Sequence, residues 1–227
     1  MVNLTKIIEN RDFRDKFFVF KDREEAGEIL AKMLEDYRDS DAIVLGIPAG
    51  GVPVASIIAK NLNLPLDVLV VSKITLPWNR EAGYGAVAFD GTIKLNQQLI
   101  NSLGLTGEEV EAGIRETLKK VKRRVHIFRK GKKPLELKGK TVIVVDDGLA
   151  SGYTMLTALE ALRKAGAAKI IVAVPTANLD AIKKLEGRVD IICSPNIRQV
   201  SPYAVADAYK HWSDVSEEEV ISILDES

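Results

Sequence analysis

Two adjacent acids, Asp146 and Asp147, follow a β-branched apolar run, Val142-Ile143-Val144-Val145. After them come Gly148, Leu149, Ala150, Ser151, Gly152, Tyr153 and Thr154, then an amphipathic stretch that reaches Ala165. A run of branched aliphatics of this kind reads as a strand buried on both faces of a parallel sheet. Carboxylates at its end are costly to bury unless they are paired or hydrogen-bonded. The small residues let backbone N–H groups approach an anion, and a helix start adds about half a positive charge. Ser151 and Thr154 add hydroxyl donors. Strand, acid pair, loop and helix start together suit a ligand carrying both anionic groups and hydroxyls. The plainer alternative for the same residues is a βα turn in which one Asp caps the helix.

A second glycine-rich turn, Pro48-Ala49-Gly50-Gly51-Val52-Pro53, follows a short apolar strand at 42–47. A helix at 54–62 and a continuous apolar strand at 66–74 complete a βαβ unit, for which a right-handed crossover is expected. With the strand at 142–145, a fourth at 169–174 and a fifth at 189–193, the pattern predicts an α/β fold. Its core is a doubly wound five-stranded parallel sheet in the order 2-1-3-4-5. In that order strands 1 and 3 are neighbours at the switch point, so the loops 48–52 and 146–154 face one crevice at the strands' carboxyl ends.

The remaining segments read more simply. Asp22 with Glu25 opens a helix bearing Ala26, Ile29, Leu30, Met33, Leu34 and Tyr37 on one face. Residues 76–96 form an insertion, a polar flexible loop containing Arg80, Glu81 and Tyr84, then a hairpin turning at Asp90-Gly91. Thr106 with Glu109 starts a long helix whose stripe is Val110, Ile114, Leu118, Val121, Val125 and Phe128, and whose end is basic from Lys119 to Lys133. Ser216 with Glu219 caps a last short helix. The whole chain, 1–227, is expected to be one domain with its core at 42–193, a flap at 76–96 and a hood from 1–20 and 194–227.

Residues Val142 to Thr154 resemble the 5-phosphoribosyl-1-pyrophosphate (PRPP) signature of type I phosphoribosyltransferases. That signature is four apolar residues, two acids, two or three apolar or small residues, then Thr/Ser-Gly-x-Thr. The overall layout is most similar to the uncharacterised predicted phosphoribosyltransferase group, as is the tail Tyr203-Ala204-Val205, Tyr209, Trp212-Ser213 with Ser216 to Val220. The resemblance implies PRPP binding by residues 146–154, with Asp146 and Asp147 accepting the ribose hydroxyls. It also implies a pyrophosphate loop at Ala49, Gly50 and Gly51, assisted by Lys73 at a strand end, and flap contacts from Arg80 or Glu81. Catalysis would then fall to Asp146, Asp147 and Lys73, in a Mg2+-dependent homodimer of nucleotide metabolism that joins PRPP to a nitrogenous acceptor. Lys73 is equally an ordinary strand-end lysine.

Some residues depart from the family. Ala150 replaces the Asp that works at the purine ring in the hypoxanthine–guanine branch, which argues against a 6-oxopurine acceptor. Tyr153 is bulky enough to crowd the phosphate loop, and the flap has no lysine before Lys94. Phe20, Tyr203, Tyr209 and Trp212 are candidates to stack on the acceptor, with core packing as the competing role.

Composition bounds the alternatives. The 227 residues carry 32 Lys plus Arg and 32 Asp plus Glu, so no net field favours nucleic acid or an anionic membrane. The apolar stretch 43–59 is broken by glycines and prolines, which excludes a membrane span. The start of the chain shows no secretory core, and the single Cys193 has no internal partner and fits a reducing cytoplasm. His126 and His211 lack ligand spacing, so no protein-held metal is expected. The rival from another class is a PRPP-sensing regulator of the same fold that binds nucleic acid through the basic run. A P-loop kinase is excluded by the missing G-x-x-x-x-G-K-[ST].

Overall fold

In chain order the elements are β1 (Lys6–Ile8), α1 (Arg23–Met33), β2 (Ile43–Gly46), α2 (Gly51–Leu62), β3 (Leu66–Val68), β4 (Val71–Leu76), β5 (Asn79–Ala88) and β6 (Ile93–Leu95). There follow α3 (Gln97–Leu103), α4 (Gly107–Arg129), β7 (Thr141–Val145), α5 (Tyr153–Lys164), β8 (Lys169–Ala173), β9 (Thr176–Asn178), α6 (Leu179–Leu185), β10 (Ile191–Cys193), β11 (Asn196–Arg198) and α7 (Glu217–Asp225). This is a computed structural model describing residues 4–134 and 136–226, with the backbone alone at Arg80 and Glu81.

The main sheet is parallel throughout, in the order β1-β10-β8-β7-β2-β3. The predicted order 2-1-3-4-5 is therefore present, with β2 beside β7 and Gly46 opposite Val145. The sheet has a sixth strand. β1, which the sequence assigned to the hood, joins the open edge of β10. Its three residues are too few to show a period, which hid it.

Alternation along β7 explains why this strand is apolar without interruption. Val142 and Val144 pack into the core under α5 and α6, while Ile143 and Val145 pack into the core under α1 and α2. All four are fully buried. Each contributes about 1.5–3 kcal/mol relative to exposure.

The run expected as one strand at 66–74 is two. β3 stays on the main sheet, and β4 departs to pair antiparallel with β5, which pairs with β6. The segment 79–85, expected as a flexible polar loop, is the greater part of the ten-residue β5. Its glycines make that possible, because Gly83 lies against the stem of Lys73 and Gly85 against the Lys94 carbonyl. Tyr84, read as a flap side chain, is buried. The Asp90-Gly91 turn forms as expected, with Thr92 donating to Asp90 through N–H (2.9 Å) and hydroxyl (2.7 Å).

The α4 stripe covers this small sheet, and α7, packed on α4, α2 and β3, joins the same third apolar cluster. Much of the basic run beside it serves docking. Arg123 and Arg124 both bind Glu217, Lys130 binds Asp225, and Arg129 pairs with Asp67 at 3.0 Å.

Candidate functional site

The helices that follow the two glycine-rich loops begin differently from the rest. α1, α3, α4, α6 and α7 have side-chain caps from Asp22, Asn96, Thr106, Asn178 and Ser216. α2 and α5 have Gly50 and Gly152 at the capping position, neither with a side-chain cap. In α2 the Gly51 and Val52 N–H groups donate to the Ile47 and Ala49 carbonyls at 3.0 and 3.2 Å and Pro53 has none, whereas an uncapped helix start otherwise leaves N–H donors for something else. In α5 these belong to the first turn, where Gly152 takes the left-handed φ of 83° that favours glycine.

The turn before α2 meets the acid pair. A Cβ at Gly50 would overlap the Asp147 carboxylate, and one at Gly51 would stand 2.6 Å from the Val145 carbonyl oxygen and 2.8 Å from Asp146 Cα. Two glycines are thus required for the 48–51 turn to pass directly over the end of β7. The Pro48–Ala49 peptide is cis.

The two acids are unlike in their surroundings. Asp146 accepts the Asp147 backbone N–H at 2.9 Å. Burial, reinforced by the charge of Asp147, pushes its carboxyl well above the usual carboxylate range. Burial raises Asp147 too, but the Arg23 guanidinium opposes it. Arg23 donates to Asp147 Oδ2 through Nη2 at 2.8 Å and Nε at 3.1 Å.

Not every sequence-predicted residue is available to a ligand. The Leu149 N–H, expected to help hold a phosphate, donates instead to the Thr176 carbonyl at 2.9 Å, because the loop runs as a parallel bridge beside Ala177. Leu149 itself is core. Gly148 lies against Val205 of the hood. Ala150 and Ser151 are exposed, and the Ser151 carbonyl accepts Lys184 Nζ at 3.1 Å. The Tyr153 ring, expected to crowd the loop, sits against the Lys184 ammonium, 5.5 Å from its centroid. Thr154 is half-buried in the first turn of α5. Lys73 is exposed on β4 opposite Ala86, in the small sheet rather than at the end of the main-sheet strand β3. The side chains of Arg80 and Glu81 lie outside the described residues.

Of the four aromatics proposed for stacking, Phe20 and Tyr209 are core, packed ring on ring at 5.7 Å. Tyr209 also donates its hydroxyl to the Asp147 carbonyl at 2.6 Å. Burial, with the Asp147 charge, raises that hydroxyl well above its ordinary range. The Tyr203 hydroxyl and Thr176 Oγ1 are 3.0 Å apart. Trp212 is partly exposed and carries Arg23 on its face, 4.0 Å from the ring centroid to the guanidinium carbon.

Arg23 was not legible as a site residue, and Tyr209, read as an acceptor-stacking candidate, holds the Asp147 carbonyl instead. Arg23 is 124 positions from Asp147, and locally it is only the first residue of a capped helix.

Among the described residues no group of three or more His, Cys, Asp or Glu could hold a metal ion, and no helix is long and apolar enough to cross a membrane.

Residues 21–88 and 90–208 match the family model of the phosphoribosyl transferase domain. Two Mycobacterium tuberculosis proteins, from strains CDC 1551 / Oshkosh and H37Rv, are named "Putative phosphoribosyl transferase". Each is 36% identical over 208 residues, which is 91% of this chain and 46% of the relative. The chain thus spans about half the length of these relatives. The crystal structure of TT1426 from Thermus thermophilus is 32% identical, with a TM-score of 0.73, covering 91% of this chain and 98% of that one.

Proposed function

Since the chain belongs to the phosphoribosyl transferase domain family, we propose that it transfers the 5-phosphoribosyl group of PRPP to a nitrogenous acceptor and releases pyrophosphate. The observation that carries this reading is the 48–51 turn, which two glycines allow to close directly over the partly buried acid pair that precedes the uncapped start of α5. An acid pair with a glycine turn over it and an uncapped helix start after it in the chain suits a ligand with a phosphate at one end, a pyrophosphate at the other and a diol between.

In this assignment the N–H groups of 151–154, with the Ser151 and Thr154 hydroxyls, hold the 5-phosphate. The Ala49–Gly51 turn, assisted by Lys73, holds pyrophosphate. Asp146 and Asp147 accept the ribose hydroxyls and offset positive charge that builds on the ring. The acceptor nitrogen forms a bond to C1 as the C1–O bond breaks, the bonding pair leaves on pyrophosphate, and the nitrogen's proton passes to solvent. Mg2+ would neutralise the leaving pyrophosphate, held mainly by substrate oxygens and water, a donor set such ions favour. That placement fits a chain whose described residues offer no cluster of metal ligands. Ala150 in place of an acid favours an acceptor other than a 6-oxopurine.

The test is calorimetric titration of PRPP with Mg2+ into wild type and the Asp146→Asn/Asp147→Asn double variant, followed by a screen of nucleobases for pyrophosphate release. Binding to wild type that vanishes in the double variant supports the assignment. A wild type that does not bind PRPP overturns it.

A further inference from the structure

The adjacent acids look equivalent in sequence, yet only one is held by a cation. Arg23 is fixed by several groups at once. Its Nε and Nη2 both donate to Asp147 Oδ2, its Nη1 donates to the Ser213 carbonyl at 2.9 Å, and its face lies on Trp212. The ion pair is largely withdrawn from water, with side chains 12% and 16% exposed. Pairs in such places are much stronger constraints than surface pairs.

The bonding is one-sided. Both Arg23 donors go to Oδ2, and neither bonds Oδ1. One oxygen is therefore pinned by the cation, and the carboxyl also shares a side-chain hydrogen bond with Asp146. Helix α1 does not need the contact, because Asp22 already accepts the Glu25 N–H at 3.1 Å and Glu25 reaches back to the Lys21 N–H.

The residues that hold Arg23 belong to the strap 209–213. That strap runs parallel to the segment before α1, with Lys210 N–H donating to the Phe20 carbonyl and His211 N–H to the Lys21 carbonyl, each at 2.8 Å. Outside Arg23 lies an open cleft of about 540 Å³ lined by Asp22, Pro53, His211, Trp212 and Glu219 among others.

We infer that Arg23 is a positioning residue for the ribose-binding acid: it fixes the Asp147 carboxylate by one oxygen and couples it to the Trp212–Ser213 strap. This rests on the PRPP assignment above and assigns Arg23 no contact with substrate.

The groups facing Asp147 are Asp146 on its own loop, Arg23 from α1 and Tyr209 from the strap, with the backbone of Gly50 from the turn before α2 and Tyr203 farther off. Arg23 is the cation among them that bonds the carboxylate. Without it Asp147 should accept a proton at higher pH, and binding that needs its ionised form should weaken sooner on acidification.

The experiment measures Mg2+–PRPP affinity from pH 6 to pH 8 in wild type, Arg23→Gln, Arg23→Lys, Asp147→Asn and the Arg23→Gln/Asp147→Asn double variant. Removing a neighbouring opposite charge is expected to weaken binding about ten-fold in Arg23→Gln, with a steeper loss toward pH 6. Arg23→Lys should keep part of the affinity. In the Asp147→Asn background Arg23→Gln should change affinity by less than about three-fold, since coupled residues are non-additive. Equal costs in both backgrounds, or unchanged affinity and pH profile in Arg23→Gln and Arg23→Lys, overturn the inference. If Arg23→Gln does not fold, Arg23→Lys and Trp212→Leu decide by the same two criteria. A wild type that does not bind PRPP removes the underlying assignment and this inference with it.

Discussion

Gly50→Ala tests the central contact of the site. The added methyl would occupy the position of the Asp147 carboxylate, whose closest oxygen, Oδ2, is the one bonded by Arg23. The carboxylate cannot swing aside freely, because moving it breaks both Arg23 hydrogen bonds. The turn cannot retreat freely either, since Gly51 behind it is packed on the Val145 carbonyl and Asp146 Cα. Overpacking of this kind costs about 1–3 kcal/mol. For a chain of this size each kcal/mol lowers Tm by about 2–4 °C, so a fall of about 2–12 °C is expected. Mg2+–PRPP affinity should fall at the same time, because the acid and the pyrophosphate turn are displaced together. The assays are thermal unfolding by circular dichroism and calorimetric titration. Gly107→Ala is the control. It lies in the first turn of α4 with nothing within 4 Å of the added Cβ, and alanine there should stabilise by about 0.4–1 kcal/mol. If Gly50→Ala melts with the wild type and binds PRPP equally well, the two loops do not meet as described.

Asp146→Asn should abolish PRPP binding yet raise Tm at pH 8. The Asp146 carboxyl is pushed up in the folded state, so the folded protein holds a proton that the unfolded chain releases. The resulting stability is full below the ordinary carboxylate pKa and is lost as pH rises through the raised value. In melting curves between about pH 4 and pH 8 the fall in Tm with rising pH should therefore be shallower in the variant, which keeps only the smaller contribution of Asp147. A variant that keeps the wild-type slope would refute this. Tyr209→Phe removes the 2.6 Å bond to the Asp147 carbonyl while keeping the ring that packs on Phe20, and should cost about 1 kcal/mol by denaturant titration. No change would mean that water replaces the hydroxyl. EDTA should leave the Tm of the ligand-free protein unchanged and weaken PRPP binding; a fall in the ligand-free Tm would reveal a resident structural metal.

What the sequence by itself determined was whatever depends on neighbours along the chain. The uninterrupted apolar run of β7 required burial on both faces, the three-and-four spacing of α4 required one apolar face, and the Asp90-Gly91 pair required a tight turn. With the order 2-1-3-4-5 taken for such a sheet, the approach of the 48–51 and 146–154 loops followed. The tertiary structure decided the rest, because it turns on pairs distant in sequence. β1 is a strand only because β10 offers an open edge. β4 leaves the main sheet because β5 pairs with it. The Leu149 N–H is spent on Thr176, on the neighbouring strand. The two acids carry the same side chain on consecutive residues, so no local property could tell them apart. They differ because Arg23, brought across 124 positions and held against Trp212 and Ser213, hydrogen-bonds one carboxylate and not the other. A charge in a partly desolvated site is governed by the cations and dipoles within a few ångströms of it, and folding alone decides which those are.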